Sequence, residues 1–137
     1  MKELFDPGIY DLYERTTYSV RGRDGLEIFF TIRDALNVPG IKGLVFAIIT
    51  AWNPMNEKLG LDENRRRNEE LQRHLRRTDY VFYPSRGVLG DHCEESFTVE
   101  NMPESEALRL GSLFEQYAVV VQDAVGCRLI RCPPQGL

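Results

Sequence analysis

The sequence predicts an α+β fold in a single domain spanning 1–137, with a mixed β-sheet of five to seven strands packed against two or three helices. Three observations support this prediction. Several short segments alternate apolar and polar residues, which is typical of strands. Two longer segments space their leucines three or four residues apart, as amphipathic helices do. No repeat, low-complexity tract or linker interrupts these segments, so we expect one core between two layers.

Composition and charge exclude several classes of protein. The 42% hydrophobic and 28% charged content is typical of a soluble globular chain. The longest apolar run, GLVFAIITAW (43–52), is about half of the ~20 residues that a membrane-spanning helix needs, so we expect no membrane partner. A net charge of −4 and a pI of about 5.2 do not give the basic footprint of a dedicated nucleic-acid-binding protein. The opening MKELFDPGIY carries acids and a proline early, which predicts no secretory signal.

The three cysteines, Cys93, Cys127 and Cys132, are an odd number without a CxxC pair. This pattern is typical of reduced thiols, so we expect a cytoplasmic protein without a disulfide. A zinc site built from these cysteines and His92 is disfavoured, because adjacent residues of a strand point to opposite faces. We therefore expect no bound metal.

In the first half of the chain, periodicity predicts a helix, a hairpin and a central strand. Ile9, Leu12 and Tyr13 have helical spacing. The run LVFAIITAW is apolar at successive positions, so we expect the sheet to be covered on both faces there. The predicted elements are a helix at 7–16, strands at 16–20 and 26–33 around a turn at 21–25, a connector at 34–43 with room for one helical turn, and a strand at 44–52.

In the second half, two helices and four strands are predicted. Asp62 is a favourable N-cap residue for a helix that ends near Arg77. Asn101 and Glu104 have N-cap and N3 character for a last helix that runs to Ala118. The other predicted elements are a loop at 53–61, a short strand with a glycine-bearing loop at 80–88, a strand at 92–100, and a closing hairpin at 118–123 and 127–132.

Polar side chains follow the central strand directly, in the segment TAWNP (50–54). Because Asn53 precedes a proline, we expect its backbone to be extended. Thr50 and Asn53 could simply end the strand and cap a turn, since Asn-Pro is common turn chemistry. Loops between a strand and a helix N-terminus are also where α/β layers bind ligands, so Thr50, Trp52 and Asn53 are candidates for a pocket.

The following helix carries an unusual inward stripe. Leu71 and Leu75 are four residues apart, and the same spacing continued backwards gives Asn68 and Asn64. Buried amides must be hydrogen-bonded, because each unsatisfied group costs about 1–3 kcal/mol. They could bond the TAWNP loop or a ligand, and the two roles are compatible. Arg67 flanks both amides and could supply a charge for an anion.

A second polar line is predicted in the strand at 92–100. Glu94, Ser96 and Thr98 share the face opposite Phe97, although a plain edge strand would show the same alternation. Glu94 is the candidate general base if a reaction occurs, but no nucleophile–histidine set is evident around it. Gln116 lies at the margin of the last helix, where a glutamine is usually solvated.

The helix at 62–77 is rich in arginine, and the segment 58–77 holds seven of the 17 basic residues. Opposite charges at i,i+4 predict a solvated surface laced with ion pairs. The predicted pairs are Arg65–Glu69, Arg66–Glu70 and Glu69–Arg73. A nucleic-acid-binding patch is the alternative for this face, and a protein-interaction surface is a further one.

Four segments occur in the order and with the spacing of a known family: ITAWNP (49–54), ENRRRNEEL (63–71), EESF (94–97) and FEQYA (114–118). Together they resemble the uncharacterised bacterial family called domain of unknown function 3293 (DUF3293), over roughly Tyr18 to Val121. The resemblance implies a small soluble bacterial protein, and the family name records no activity. At His92 related sequences tend to have tryptophan. The polar positions that the resemblance implies are Thr50, Trp52, Asn53, Asn64, Glu94, Ser96 and Gln116.

We therefore predict a small-molecule-binding domain, with a nucleotide-like or other anionic ligand as the leading class and a small polar or phosphate-bearing molecule as the expected partner. The first alternative is a hydrolase or transferase that acts on such a ligand with Glu94 as general base. The second is a protein-interaction module that uses helix 62–77. No P-loop, Rossmann fingerprint or HExxH motif is present, so the sequence identifies neither a reaction nor a cofactor. The predicted ligand contacts are Thr50, Trp52, Asn53, Asn64, Arg67, Asn68, Glu94, Ser96 and Gln116.

Overall fold

The computed structural model describes residues 6–22 and 24–133. Arg23, which belongs to the predicted turn at 21–25, lies outside this range, as do 1–5 and 134–137. The described residues form three α-helices and seven strands, which confirms the predicted α+β class. In chain order they are α1 (Pro7–Arg15), β1 (Thr17–Arg21), β2 (Glu27–Phe30), β3 (Phe46–Ile49), α2 (Leu61–Arg76), β4 (Phe82–Leu89), β5 (His92–Glu100), α3 (Glu104–Leu113), β6 (Ala118–Asp123) and β7 (Gly126–Arg131).

The seven strands form one sheet in the order β2-β1-β4-β5-β3-β6-β7, curled as a half-barrel. Every pairing between neighbouring strands of the described residues is antiparallel. The predicted mixture of parallel and antiparallel strands is therefore wrong. The reason lies in the connections. Helices α2 and α3 join β3 to β4 and β5 to β6, and neither pair of strands is adjacent in the sheet. The strand pairs joined by short turns are hairpins, which are antiparallel by construction.

The central strand β3 is buried on both faces, as predicted. Ala47 and Ile49 belong to the core that includes Leu71 of α2. Phe46 and Ile48 belong to a second core on the opposite face, against which α1 packs, so the expectation of one core between two layers is wrong. Successive side chains of a strand point to opposite faces, so β3 divides the molecule into an α2 side and an α1 side.

The last helix ends at Leu113 rather than at Ala118. Glu115 adopts a left-handed backbone with φ of 59°, which the helix cannot continue through. The N–H of Gln116 bonds the carbonyl of Gly111 at 2.8 Å, which closes the helix end. This early end moves Gln116 off the helix surface and into the interior, where only 5% of the residue is exposed.

Several other element bounds differ from expectation. Strands β2 and β3 are shorter than the predicted strands at 26–33 and 44–52, and the N-cap of α3 is Pro103 rather than Asn101. Helix α2 begins at Leu61, one residue before the predicted N-cap Asp62, and its N-cap Gly60 makes no side-chain bond. Strand β4 continues to Leu89 where a loop was expected, because its whole length pairs with β5 in a hairpin. Gly87 lies within this strand, directly opposite Glu94.

Candidate functional site

The loop after β3 holds an unusual backbone. Asn53, Met55 and Asn56 all have positive φ, of 43°, 51° and 63°. The predicted extended conformation of Asn53 is therefore wrong. Asparagine tolerates the left-handed region better than most residues, and surrounding bonds must stabilise three such residues so close together.

Asn64 supplies some of that support from the first turns of α2. Its Oδ1 accepts the N–H of Asn53 at 2.8 Å, and its Nδ2 donates to Oδ1 of Asn53 at 2.8 Å. The same Asn53 oxygen accepts the N–H of Leu59 at 2.9 Å. Both polar atoms of the buried Asn64 amide are therefore used inside the protein.

Asn68 has the same role a turn further along the helix. Its Oδ1 accepts the N–H of Ala51 at 2.8 Å, and its Nδ2 donates to the carbonyl of Glu95 at 2.7 Å. Thr50 donates to that same carbonyl at 2.7 Å and accepts the N–H of Trp52 at 3.1 Å. The sequence left two roles open for the amides, to bond the TAWNP loop or to bond a ligand. The observed hydrogen bonds are those expected if the amides hold the loop.

Arg67 and Gln116 fasten the loop from the other side. The guanidinium of Arg67 donates from Nε to the carbonyl of Ala51 and from Nη2 to that of Phe114, both at 2.8 Å. Nε2 of Gln116 donates to the carbonyl of Trp52 at 3.1 Å. The expectation that Gln116 is solvated is wrong, because the early end of α3 turns this side chain inwards.

A cavity of about 300 Å³ lies on the α1 side of the sheet. Its walls come from α1, from β1, β3, β4, β5 and β6, and from the loop after β3. Six of the nine predicted ligand residues line it, whereas Asn64, Arg67 and Asn68 do not, because α2 packs on the opposite face. The six are Thr50, Trp52, Asn53, Glu94, Ser96 and Gln116.

Glu94 is the acidic group of this cavity. Its Oε1 accepts a hydrogen bond from Nδ2 of Asn53 at 3.0 Å and lies 3.7 Å from Nε2 of His92. Burial raises the pKa of the Glu94 carboxyl above its ordinary value, and the contacts with His92 and Asn53 oppose this shift. The side chain is 36% exposed, so a ligand in the cavity can reach the carboxylate.

Several lining residues were not singled out as ligand contacts by the sequence. Tyr13 has the clearest signal, since its place on the apolar face of the first helix predicts that it faces the sheet. Burial, and to a smaller extent the charge of Glu94, raise the pKa of its hydroxyl. Gly87 gives no local signal, because only its pairing with Glu94 places it there. The lining residues outside the prediction are Leu12, Tyr13, Thr16, Tyr18, Ile48, Asn56, Gly87, Leu89, His92, Ala118, Val119 and Val120.

The arginine-rich face of α2 is laced with ion pairs, as expected, but the predicted i,i+4 partners are wrong. Arg66 pairs with Glu63 and Arg73 with Glu70, at i,i+3. Arg65 instead reaches the exposed Glu95 of β5 at 3.3 Å. Acidic neighbours thus compensate these three guanidinium groups, and a protein partner for this face stays a prediction.

The cysteines do not lie together. Cys93 is exposed, Cys132 is buried and Cys127 is intermediate, and none forms a disulfide. Within 6–22 and 24–133, no group of three or more His, Cys, Asp or Glu side chains is arranged to hold a metal ion. The helices in those same ranges include none that is long and apolar enough to cross a membrane.

Comparison with known proteins identifies the family. The model of the family described as "Protein of unknown function (DUF3293)" matches residues 49–119, just over half of the chain. This match begins later than Tyr18, where the resemblance was expected to start. It includes all nine predicted ligand residues. No curated protein and no solved structure matches the chain. On the family match, the chain is a member of the DUF3293 family.

Proposed function

We propose that the cavity on the α1 side of the sheet binds a small polar molecule. The observation that carries this proposal is the convergence of hydrogen-bonding groups from separate segments of the chain onto one concave space. Glu94, Asn53, Thr50 and Tyr13 all line it, together with the only tryptophan, Trp52. Ligand sites are typically concave, largely apolar and supplied with a few placed polar groups.

The support of the loop strengthens this proposal. Three residues with positive φ are held in place by Asn64 and by the 114–116 segment through backbone and side-chain bonds. A rigid wall binds a ligand with a smaller loss of conformational freedom than a mobile one. The amides of α2 thus serve a ligand indirectly, by holding Trp52 and Asn53 at the cavity.

The volume limits the ligand. At about 300 Å³ the cavity is at the lower end of the range for small-molecule sites. A nucleotide-like anion was the leading prediction, with Arg67 as its contact. Arg67 is not among the lining residues, and its guanidinium bonds two backbone carbonyls. We therefore propose a small polar ligand that makes no contact with Arg67.

Trp52 reports on occupancy without a label, because it is the only tryptophan and lines the cavity. We expect a saturable change in its fluorescence when a library of small amines, amides, carboxylates, nucleosides and sugar phosphates is titrated. Ala118→Leu would extend a lining side chain into the cavity and should weaken every response. Ala124→Leu, in the exposed turn after β6, is the matched control and should leave the responses unchanged. A flat signal across the library, with Ala118→Leu indistinguishable from wild type, would contradict the proposal.

One observation favours a second candidate function, catalysis on the bound molecule. A carboxylate whose pKa is raised by burial is better matched to proton transfer near neutral pH than an ordinary one. In that case Glu94→Gln stops turnover of a substrate even when the substrate is present at a saturating concentration. If Glu94→Gln turns a substrate over at the wild-type rate, the general-base role is wrong.

A further inference from the structure

We infer that the cavity selects a cationic group, an ammonium or amidinium on a small flat apolar body. This inference rests on the proposed function, because it names the class of molecule that the same cavity takes. The sequence favoured an anionic ligand, whereas this inference gives the ligand a positive charge.

The lining residues carry one carboxylate and no guanidinium or ammonium group. Glu94 is the acidic residue among them, and His92 is the only lining side chain that can become positive. A ligand anion would therefore meet a carboxylate at close range without a fixed cation to offset the repulsion. A ligand cation would meet an attractive partner in a partly desolvated space, where a charge-assisted bond is strong.

The hydrogen bonds of Glu94 leave one oxygen for a ligand. Asn53 and His92 both approach Oε1. In the described ranges no hydrogen bond is made to Oε2. Partial burial of a carboxylate is costly unless it is paired, so a ligand that donates two N–H groups or carries a charge would offset this cost.

Two guanidinium groups on elements beside β5 and the loop after β3 have other partners. Arg67 bonds the carbonyls of Ala51 and Phe114 on the α2 side. Arg86, in the strand next to β5, forms two bonds with Glu27 at 2.8 and 3.1 Å. Neither lines the cavity. The carboxylate of Glu94 thus has no arginine partner within the described residues of the chain.

Aromatic side chains in the lining also favour a cationic ligand. Tyr13, Tyr18 and Trp52 all line the cavity. Aromatic rings attract cations through the negative potential of their faces, and they also pack well against flat apolar groups. A cavity with one carboxylate and three aromatic rings fits an organic cation better than a phosphate ester.

Three probes of nearly equal shape and different charge test the inference: benzamidinium, benzamide and benzoate. Each is titrated at neutral pH, with Trp52 fluorescence and amide chemical shifts as readouts. We expect benzamidinium to bind at least about tenfold more tightly than benzamide, and benzoate to bind most weakly. Added salt should weaken the binding of benzamidinium more than that of benzamide.

Two variants assign the preference to one residue. Glu94→Gln keeps the shape and an acceptor for Asn53 but removes the charge, so it should bring benzamidinium and benzamide to similar affinities. Glu95→Gln changes the neighbouring carboxylate, which is exposed and pairs with Arg65. It is the matched control and should leave the order of affinities unchanged.

The outcomes separate the two proposals. If benzoate binds as tightly as benzamidinium or more tightly, or if all three bind equally, the cavity binds small molecules but the cation preference is wrong. If the preference persists in Glu94→Gln, the role of Glu94 is wrong. If none of the three gives a saturable response at millimolar concentration, the cation preference is wrong, and the library titration with Ala118→Leu decides separately whether the cavity accepts a ligand.

Discussion

Asn53 and Asn64 exchange two hydrogen bonds of 2.8 Å, one through a backbone N–H and one through a side-chain amide. This exchange joins the left-handed backbone of the loop to the first turns of α2. Because Nδ2 of Asn53 also donates to Glu94, a chain of bonds runs from α2 across the loop to the carboxylate in the cavity. Asn64, which does not line the cavity, thereby fixes the positions of Asn53 and Glu94, which do.

The first prediction is that Asn64→Leu lowers the free energy of unfolding by about 1–3 kcal/mol, because Asn53 loses a buried partner for its N–H. Chemical denaturation followed by Trp52 fluorescence measures this change. Glu69→Leu, at an exposed position of the same helix, is the control and should change stability by less than about 0.5 kcal/mol. Unchanged stability in Asn64→Leu would mean that the amide does not hold the loop.

The second prediction concerns Arg67. Arg67→Met keeps an apolar stem but removes the bonds to the carbonyls of Ala51 and Phe114, so we expect a loss of about 1.5–3 kcal/mol in unfolding free energy. Arg66→Met is the matched control, since Arg66 is exposed and pairs with Glu63 on the surface. We expect the affinity of Arg67→Met for a ligand to change much less than its stability. A large, salt-dependent loss of affinity for an anion at full stability would favour the anion contact expected from the sequence instead.

The third prediction is a pH dependence from Glu94. Burial raises its pKa in the folded protein, so between the ordinary value of 4.5 and the raised value the folded state binds more protons than the unfolded state. Stability from this group is therefore present below the ordinary value and is lost as the pH rises through the raised value. Glu94→Gln does not titrate, so its stability relative to wild type should increase across that window. Urea denaturation at a series of pH values measures the difference, and a difference that decreases with pH would contradict the assignment.

The fourth prediction concerns thiol reactivity. Burial raises the pKa of Cys127 to about 12 and that of Cys132 to about 11, so both are protonated and slow to react at pH 8. Cys93 is exposed and should react first in the folded protein. In denaturant without a reductant, all three should react, and elemental analysis should find less than about half an equivalent of zinc. Fewer than three reactive thiols in denaturant would indicate a disulfide.

The sequence alone determined the features that depend on local periodicity. The spacing of Leu71 and Leu75 was sufficient to predict that Asn64 and Asn68 face inwards, and all four are buried. Alternation along the strand at 92–100 was sufficient to place Glu94 and Ser96 on one face. The reason is that a helix repeats every 3.6 residues and a strand every two, so neighbours in sequence report which side of an element is covered.

Only the tertiary structure decided which of these inward residues meet each other. Asn64 and Glu94 both face inwards, but α2 packs on one face of the sheet, and Glu94 lies on the other face, the side of α1. The strand order that places β3 between β5 and β6, and the helix end that turns Gln116 towards Trp52, depend on contacts between residues far apart in sequence. Local periodicity carries no information about such contacts, because they are set by the packing of whole elements around a shared core.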